Sequence, residues 1–355
     1  MTALKESTHG GDLVSARVLW AGEVLDFSAN LNPLGMPEGV RRAAAEGVEE
    51  AVHYPDPLCR ALSAAIARRD GVAPGQVLCG NGAADLVFRL AFSEGPRRAL
   101  VTAPTFSEYE AAVSAAGCTV VRHILDRARN FDLTGAVLDE LTPELDLAFF
   151  CTPNNPTGRV IDRGLLEAIL EKSRAAGVRL VVDECFLALS DGGEAAGLAG
   201  YLEPYPNLLL LRAFTKSYAM PGLRLGYCLS ADGALLDRIS RCAQPWSVSA
   251  PAQAAGLAAA AEPSHPRLAR ALIARERSRL MRALEGLGLE VIPSAANYLL
   301  FRAPGITDLR ERLLRRGVLI RSCADYPGLG EDDYRIAVRL QEENEQLIRA
   351  MKEAL

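Results

Sequence analysis

The chain has 355 residues, which suits two domains better than one, and its formal net charge at pH 7 is −5. Hydrophobic residues make up 49% and charged residues 23%, the composition of an ordinary globular protein. No run of Lys and Arg forms a phosphodiester-binding stripe, and no segment has the uncharged apolar length of a membrane span, so we expect neither nucleic acid nor membrane as a partner.

The predicted elements begin with an N-terminal arm. The turn signals HGG and NPLG occur before residue 40, so we expect residues 1–40 to form an arm that packs with a small domain. Continuous apolar strands then alternate with helical segments, which indicates a mainly parallel α/β sheet covered on both faces, in a large domain over 41–240. The predicted strands are 146–151, 178–182, 207–212 and 223–229, with a helix over 164–176.

The C-terminal part has a different pattern of predicted helices and strands. After residue 240 a long Arg-rich amphipathic helix is followed by shorter strands and helices, which indicates a small α+β domain over 241–355. The predicted elements are helices over 266–287 and 307–316 and strands over 297–302, 317–321 and 334–339.

Two loops follow predicted strands and can contact a ligand. LCGNGAAD (Leu78–Asp85) is a Gly-rich turn at a helix N-terminus, where exposed N–H groups form a phosphate cradle, although such turns are usually only turns. CTPNNPTG (Cys151–Gly158) leaves a buried strand and is far more specific than a generic loop. It directs an Asn amide to the carboxyl edge of the sheet, where α/β proteins bind ligands.

Two further segments supply charged groups to the same edge. VVDE ends a strand with Asp183, whose buried carboxylate needs a cationic partner such as a protonated pyridine nitrogen, unless it only caps the next segment. TKSYAMPGLRLGY places Lys216 and Thr215 after another strand and Arg224 eight residues beyond the lysine. A lysine here is usually a solvated surface charge, but with the hydroxyl and the arginine it also fits a phosphate monoester.

Taken in order, these groups match the requirements of pyridoxal 5'-phosphate (PLP). Lys216 would bind the cofactor covalently, and Asp183 would keep its ring nitrogen protonated; we predict both to be catalytic. Asn155 would hydrogen-bond the ring oxygen. The turn amides, Thr215 and Arg224 would hold the phosphate.

At NNPTG, DE and TKxxxxPGLRLGY the chain resembles the fold-type I PLP enzymes over nearly its whole length, within the class I/II aminotransferase family and near histidinol-phosphate aminotransferase. The resemblance implies a mainly parallel seven-stranded sheet between helices and a small C-terminal domain. The segments HGG, DFSANLNPLG, YPDP, QPWSVSA, ANYLLFR and IRSCADYPGLG are similar to the threonine-phosphate decarboxylase family. That likeness implies decarboxylation of L-threonine O-3-phosphate to (R)-1-amino-2-propanol O-2-phosphate, for cobalamin biosynthesis.

The resemblance also implies further cofactor contacts. Phe106 matches the aromatic side chain that stacks on the ring, and Gly82 and Ala83 would supply phosphate-binding amides, with Asn81 beside them. Tyr54 matches a tyrosine that reaches the PLP phosphate of a neighbouring subunit, which implies a homodimer.

Substrate contacts follow from the same resemblance. Arg335 matches the arginine that grips the substrate carboxylate, and Asn155 is expected to contact the substrate as well. His9, Asn30 and Arg321 fall where the substrate's phosphate and carboxylate contacts gather.

Two positions depart from the wider aminotransferase pattern. Phe186 stands where many aminotransferases have a Tyr that hydrogen-bonds the ring oxygen, and Phe is the residue expected in the decarboxylase branch. Ala213 stands where family members tend to have a hydroxyl residue, so one phosphate contact is expected to be missing or supplied by water.

Two other functions compete with decarboxylation. A histidinol-phosphate or related aminotransferase would use the same Lys, Asp and Asn but would need 2-oxoglutarate. A PLP-binding regulator would carry an N-terminal DNA-binding domain, and enzyme-like motifs that start at His9 leave no room for one.

The eight cysteines and four histidines bear on compartment and metal content. No CxxC pair occurs, several cysteines lie in apolar runs, and no metal-ligand spacing is present, so we expect free thiols and no metal site. Met1–Trp20 has no apolar signal-peptide core, and we therefore predict a cytoplasmic protein.

Overall fold

The computed structural model of the chain describes residues 9–20 and 22–355. Its helices α1 to α12 are, in chain order, Leu13–Leu19, Glu38–Glu49, Arg60–Asp70, Ala83–Glu94, Glu108–Ala115, Arg163–Ala176, Phe214–Ser217, Gly233–Arg241, Ala250–Ala261, Ser264–Glu285, Leu309–Leu314 and Gln341–Ala354. Its strands β1 to β13 are Leu25–Asp26, Val77–Gly80, Arg98–Ala103, Thr119–Ile124, Leu147–Cys151, Arg179–Asp183, Leu208–Ala213, Gly226–Leu229, Glu290–Val291, Tyr298–Arg302, Val318–Leu319, Arg321–Ser322 and Asp333–Ala337.

A seven-stranded sheet forms the centre of the large domain, in the order β2-β8-β7-β6-β5-β3-β4. Its neighbouring strands are parallel except at β8, which runs antiparallel to both β2 and β7. The prediction of a mainly parallel sheet between helices is confirmed.

Strand β7 shows why this sheet could be predicted. Its side chains alternate between two hydrophobic clusters on opposite faces, with Leu208 and Leu210 in one and Leu209 and Leu211 in the other. All four are fully buried. A strand covered on both faces has no polar face, so it appears in the sequence as an uninterrupted apolar run.

Local chemistry fixes the helix that crosses between β5 and β6. At its start the Asp162 carboxylate accepts a hydrogen bond from the backbone N–H of Leu165, at 3.1 Å. At its end Gly177 takes a positive φ of 72°, which glycine adopts without strain. The bounds of α6 differ from the predicted 164–176 by one residue.

The small sheet has the order β12-β13-β10-β9 and is antiparallel throughout. Helices α10 and α12 cover one face, where Ile273 and Leu347 meet Phe301 and Ile336 in one core. Within residues 9–20 and 22–355, no helix has both the length and the apolar composition that a bilayer crossing requires.

The N-terminal arm joins this small domain by backbone and side-chain contacts. Strand β1 pairs in parallel with β11, and Ala16 of α1 packs against Leu314 and Leu319. Residues 1–8, at the start of the predicted arm, lie outside the described residues.

Helix α9 follows the predicted boundary at 240/241 in the sequence but packs with the large domain. Its Ala252, Ala255 and Ala259 join Leu62 and Ile66 of α3 in the large-domain core. The sequence assigned α9 to the small domain, but its small apolar side chains allow close packing on α2 and α3. The core of the large domain therefore continues to the end of α9, whereas the three-part division itself stays a prediction.

Candidate active site

A cavity of about 410 Å³ lies where the arm, the large domain and the small domain meet. Loops after the carboxyl ends of the parallel strands supply most of its floor, and β8, which is antiparallel, contributes the residues before its start. The predicted site residues that line it are His9, Asn30, Gly82, Ala83, Phe106, Asn155, Asp183, Thr215, Lys216, Arg224, Arg321 and Arg335.

The Gly-rich turn and Arg224 form a narrow cradle. Gly82 has a φ of +91°, and a Cβ added there would lie 2.7 Å from a terminal nitrogen of Arg224. A Cβ on Gly226 would lie 2.5 Å from the backbone nitrogen of Ala83, so two glycines permit the close approach. Asn81 does not line the cavity; its N–H donates to the Asp85 carboxylate at 2.7 Å, which holds the turn.

Lys216 lies directly after β7, on the short helix α7, and reaches the cavity. Desolvation by the enclosing protein, reinforced by the positive charge of Arg335, lowers the pKa of its amine to about 8. The arm fixes this turn, because the Asn32 N–H donates to the Lys216 carbonyl at 3.0 Å and the Asn32 amide donates to the Ser217 carbonyl at 2.8 Å. The lysine is therefore both accessible from the cavity and unusually easy to deprotonate.

Asp183 ends β6 with a buried carboxylate whose two oxygens each accept a hydrogen bond. The Tyr109 hydroxyl donates to one at 2.6 Å, and the Cys185 backbone N–H donates to the other at 2.8 Å. Burial raises the pKa of Asp183 even though these hydrogen bonds oppose the shift. The Cys185 contact is a local turn at the start of the next segment. The carboxylate also faces the cavity and suits a cationic partner there.

The two asparagines of NNPTG have different surroundings. Asn154 is structural: its side chain bonds Thr105 at 2.7 Å and the Pro104 carbonyl at 2.9 Å. Asn155 lines the cavity, and its side-chain oxygen accepts a hydrogen bond from Arg335.

Arg321 and Arg335 stand opposite each other in the antiparallel pair β12–β13. Arg335 also donates to the Ser28 carbonyl at 2.8 Å, and Arg321 donates to both oxygens of Asp325, at 2.6 and 2.7 Å. Among the described residues the buried Nε of Arg335 and the buried side-chain oxygen of Asn30 have no hydrogen-bond partner. The small-domain wall thus offers two guanidinium groups and spare polar atoms to a ligand.

His9 closes the cavity from the arm. Its Nε2 lies 2.9 Å from a carboxylate oxygen of Glu108, and its ring centroid lies 6.1 Å from that of Phe106. The hydrogen bond with His9 lowers the pKa of Glu108. Sequence reasoning did not single out Glu108, which lies two residues after Phe106.

The two departures from the aminotransferase pattern also lie at the cavity. Phe186 packs edge-on against Tyr298, with ring centroids 4.9 Å apart, and its ring centroid lies 5.9 Å from the Lys216 amine. Ala213 lines the cavity without a polar side chain. The side chain is therefore apolar at both positions, and both residues line the cavity.

Tyr54 does not line the cavity of its own chain. Its side chain is 77% exposed and stacks on Trp246, with ring centroids 4.2 Å apart. A role across a subunit interface thus stays a prediction.

Besides Glu108, sequence reasoning missed three residues that shape the site, namely Tyr109, Tyr326 and Asn32. Tyr109 follows Phe106 by three residues, one helical turn, and that spacing was the available signal. Tyr326 lies within the quoted IRSCADYPGLG and Asn32 within NLNPLG, but nothing in either segment indicated which side chain would face the site. In the described part of the chain, no cluster of three or more His, Cys, Asp or Glu residues is placed to hold a metal ion.

The family model described as aminotransferase class I and II matches residues 22–351. The chain belongs to the class I and II aminotransferase family. It is 40% identical to the threonine-phosphate decarboxylase of Salmonella typhimurium, over 99% of this chain and 98% of that protein.

Two solved structures are similar to this one. The histidinol-phosphate aminotransferase from Clostridium acetobutylicum has a TM-score of 0.86 and 27% identity, over 92% of this chain and 98% of that chain. The L-threonine-O-3-phosphate decarboxylase from Porphyromonas gingivalis has a TM-score of 0.82 and 25% identity, over the same shares.

Members of this aminotransferase family use PLP, and the residues of this cavity fit that cofactor. Lys216 has a readily deprotonated amine, Asp183 is a buried carboxylate that suits a cationic ring nitrogen, and Gly82 and Arg224 form a cradle of the kind that binds a phosphate. We predict that these residues hold PLP, with Thr215, Asn155 and Phe106 beside it.

The lowered pKa of Lys216 is testable in the cofactor-free protein. We expect labelling of Lys216 by an amine-reactive reagent to reach half of its maximum near pH 8, because the neutral amine reacts and burial favours that form. Mass spectrometry of labelled peptides measures the profile, with the exposed Lys172 as the control for reagent reactivity. A Lys216 profile that coincides with that of Lys172 would contradict the assignment.

The cradle is testable with two matched glycine substitutions. We expect Gly226→Ala to weaken PLP binding, because its Cβ would push the turn at Ala83 away from Arg224. Overpacking of this kind typically costs about 1–3 kcal/mol, which corresponds to roughly 5- to 150-fold in affinity. The control is Gly222→Ala, whose Cβ would have no atom within 4 Å. Absorbance titration with PLP measures both, and equal affinities would show that the close approach does not hold the turn.

Proposed function

We propose that this protein is a PLP-dependent decarboxylase that converts L-threonine O-3-phosphate to (R)-1-amino-2-propanol O-2-phosphate, for cobalamin biosynthesis. The observation that carries the proposal is the paired arrangement of Arg321 and Arg335 on the cavity wall opposite the predicted cofactor residues. The 40% identity to a protein named for this reaction, over 99% of the chain, supports it.

The cations of the cavity can be assigned to anions one by one. Arg224 lies in the phosphate cradle, which leaves Arg321, Arg335 and His9 for the substrate. A phosphorylated amino acid carries a carboxylate and a phosphate, and guanidinium groups bind both well. With a single anionic group, only one of the two arginines would contact the substrate, and Arg321 would keep Asp325 as its partner.

The chain's own residues then decide which bond is cleaved. When bound, PLP supplies an electron-accepting ring that labilises the substrate Cα bond lying perpendicular to it. We propose that Arg335 holds the carboxylate, while His9 and Arg321 hold the phosphate and so turn the Cα–carboxylate bond into that orientation. Lys216, whose amine carries a proton in part near neutral pH, then returns a proton to Cα.

A second candidate is a histidinol-phosphate or related aminotransferase that uses 2-oxoglutarate. The TM-score of 0.86 to the aminotransferase from Clostridium acetobutylicum favours it. Lys216, Asp183 and Asn155 serve either reaction, so the two functions differ in how the substrate is anchored.

The reaction is tested with the purified PLP-loaded protein and no keto acid. We expect L-threonine O-3-phosphate to release CO2 in many turnovers and to yield aminopropanol phosphate, because decarboxylation regenerates the cofactor without a second substrate. CO2 trapping and mass spectrometry measure the two products. Turnover only of histidinol phosphate, and only with 2-oxoglutarate present, would reject the proposal in favour of the aminotransferase.

We also propose that the protein is a homodimer in which Tyr54 contacts the PLP phosphate of the neighbouring subunit. Its 77% exposure and its stacking on Trp246 present the ring at the surface, away from the cavity of its own chain. A cytoplasmic location is proposed as well, because all eight cysteines are free and six of them are buried.

Mixing two inactive variants tests the role of Tyr54 across subunits. Lys216→Ala keeps Tyr54, and Tyr54→Ala keeps Lys216, so a hybrid dimer contains one complete site only if Tyr54 acts on its neighbour. We expect random reassortment to restore up to about a quarter of wild-type activity. Each variant reassorted with itself is the control. Absence of any recovery, with hybrid dimers shown by native mass spectrometry, would place Tyr54 outside the neighbouring site.

A further inference from the structure

Tyr326 lies four residues after β12 and lines the cavity from the small-domain side. Its side chain is only 7% exposed, because it belongs to a small hydrophobic cluster made of Leu125, Phe131, Ile292, Leu300 and Cys323. This cluster fixes the ring at the junction of the two domains and leaves little freedom to the hydroxyl.

Two arginines face this buried phenol. The guanidinium carbon of Arg321 lies 5.5 Å from the centroid of the Tyr326 ring, within the range of a cation–π contact. Arg335 stands opposite Arg321 on the neighbouring strand, and its charge also acts on the phenol. Tyr326 lines the same cavity as both arginines.

The protonated hydroxyl of Tyr326 can donate a hydrogen bond to an anion bound in the cavity. Burial raises the pKa of Tyr326, although the charge of Arg335 opposes the shift, so the phenol keeps its proton near neutral pH. Arginine side chains contain donors and no acceptors, so neither Arg321 nor Arg335 can accept the hydroxyl proton. Hydroxyls of largely buried tyrosines normally find a hydrogen-bond partner, and an oxygen of a ligand bound in the cavity can be that acceptor.

We propose that the Tyr326 hydroxyl donates a hydrogen bond to a phosphate oxygen of the substrate and so helps the enzyme to select phosphorylated amino acids. The inference rests on the proposed function, which places the substrate phosphate at His9 and Arg321. Tyr326 stacks on Arg321 itself, whereas the terminal nitrogens of Arg335 are held by Asn155 and Ser28.

The chemistry of a phosphate monoester fits a third donor. It presents three strong acceptor oxygens, and one terminal nitrogen of Arg321 is already engaged by Asp325. A hydroxyl group on an unphosphorylated amino acid would make far weaker use of the same donor, because hydrogen bonds to charged groups contribute most.

The test is Tyr326→Phe in the PLP-loaded protein, since Phe keeps the ring, the apolar cluster and the contact with Arg321. Affinities for L-threonine O-3-phosphate and for L-threonine are measured from the change in cofactor absorbance. We expect the variant to bind the phosphorylated compound roughly 10- to 100-fold more weakly, the range for loss of a hydrogen bond to a charged group. Binding of L-threonine should change less than about twofold.

Tyr334→Phe is the matched control. Tyr334 is a buried tyrosine of the same domain, and its hydroxyl donates to the Ile306 carbonyl at 2.9 Å rather than facing the cavity. Its loss should lower stability and leave the ratio of the two affinities unchanged. The readout is the ratio of the two affinities within one variant. A general loss of structure weakens the binding of both compounds, so it does not imitate the expected result.

Three outcomes decide the inference. A selective loss for L-threonine O-3-phosphate supports it, while equal losses for both compounds, or no loss, overturn it and leave Tyr326 a packing residue. Since binding is measured separately from CO2 release, a wild-type enzyme that binds the phosphorylated compound without decarboxylating it would reject the proposed reaction. The contribution of Tyr326 to phosphate binding would still be decided.

Discussion

The amine of Lys216 is desolvated by the surrounding protein and yet can be reached from the cavity. Much of the surrounding structure maintains these two conditions. Desolvation lowers its pKa to about 8, which increases the share of the nucleophilic neutral form near neutral pH. Helix α7 spans only four residues and has few hydrogen bonds of its own to fix the turn. Asn32 fixes it instead, because it donates hydrogen bonds to the carbonyls of Lys216 and Ser217. The arm thus fixes the central residue of the large domain from a distant part of the chain.

Around this lysine the protein concentrates positive charge although the chain as a whole is acidic. Each cation is restrained by a local partner: Arg321 by the carboxylate of Asp325, and Arg335 by neutral oxygens of Asn155 and Ser28. A neutral partner leaves the charge of Arg335 uncompensated, which also depresses the pKa of Lys216. An anion bound at Arg335 would therefore raise the pKa of Lys216 again, so substrate binding would help Lys216 to carry the proton that we propose it returns to Cα.

The parts of this site that could be predicted from the sequence are those that follow buried strands. Asp183 and Lys216 each come directly after an apolar run, and the topology of a parallel sheet brings such positions to one edge. The contacts that could not be predicted join distant segments: Asn32 meets Ser217 across 185 residues, and Arg321 faces Arg335 through an antiparallel register. No local periodicity encodes these pairings. The packing of α9 in the large-domain core could not be predicted for a similar reason, because its alanines fit either core, and the boundary at 240/241 itself stays a prediction.

The two walls of the cavity carry different sets of residues, and this arrangement can account for different reactions within one family. The large-domain wall carries Lys216, Asp183 and Asn155, which we expect to serve decarboxylation and transamination alike. The small-domain wall and the arm carry Arg321, Arg335 and His9, and under the proposed function their spacing would set how the substrate lies. Moving one anionic group of the substrate from one of these cations to another would rotate the bonds at Cα without any change in the cofactor residues. Under the proposed function, selection between decarboxylation and transamination is therefore a problem of anchoring, and we expect the deciding side chains to come from the arm and the small sheet.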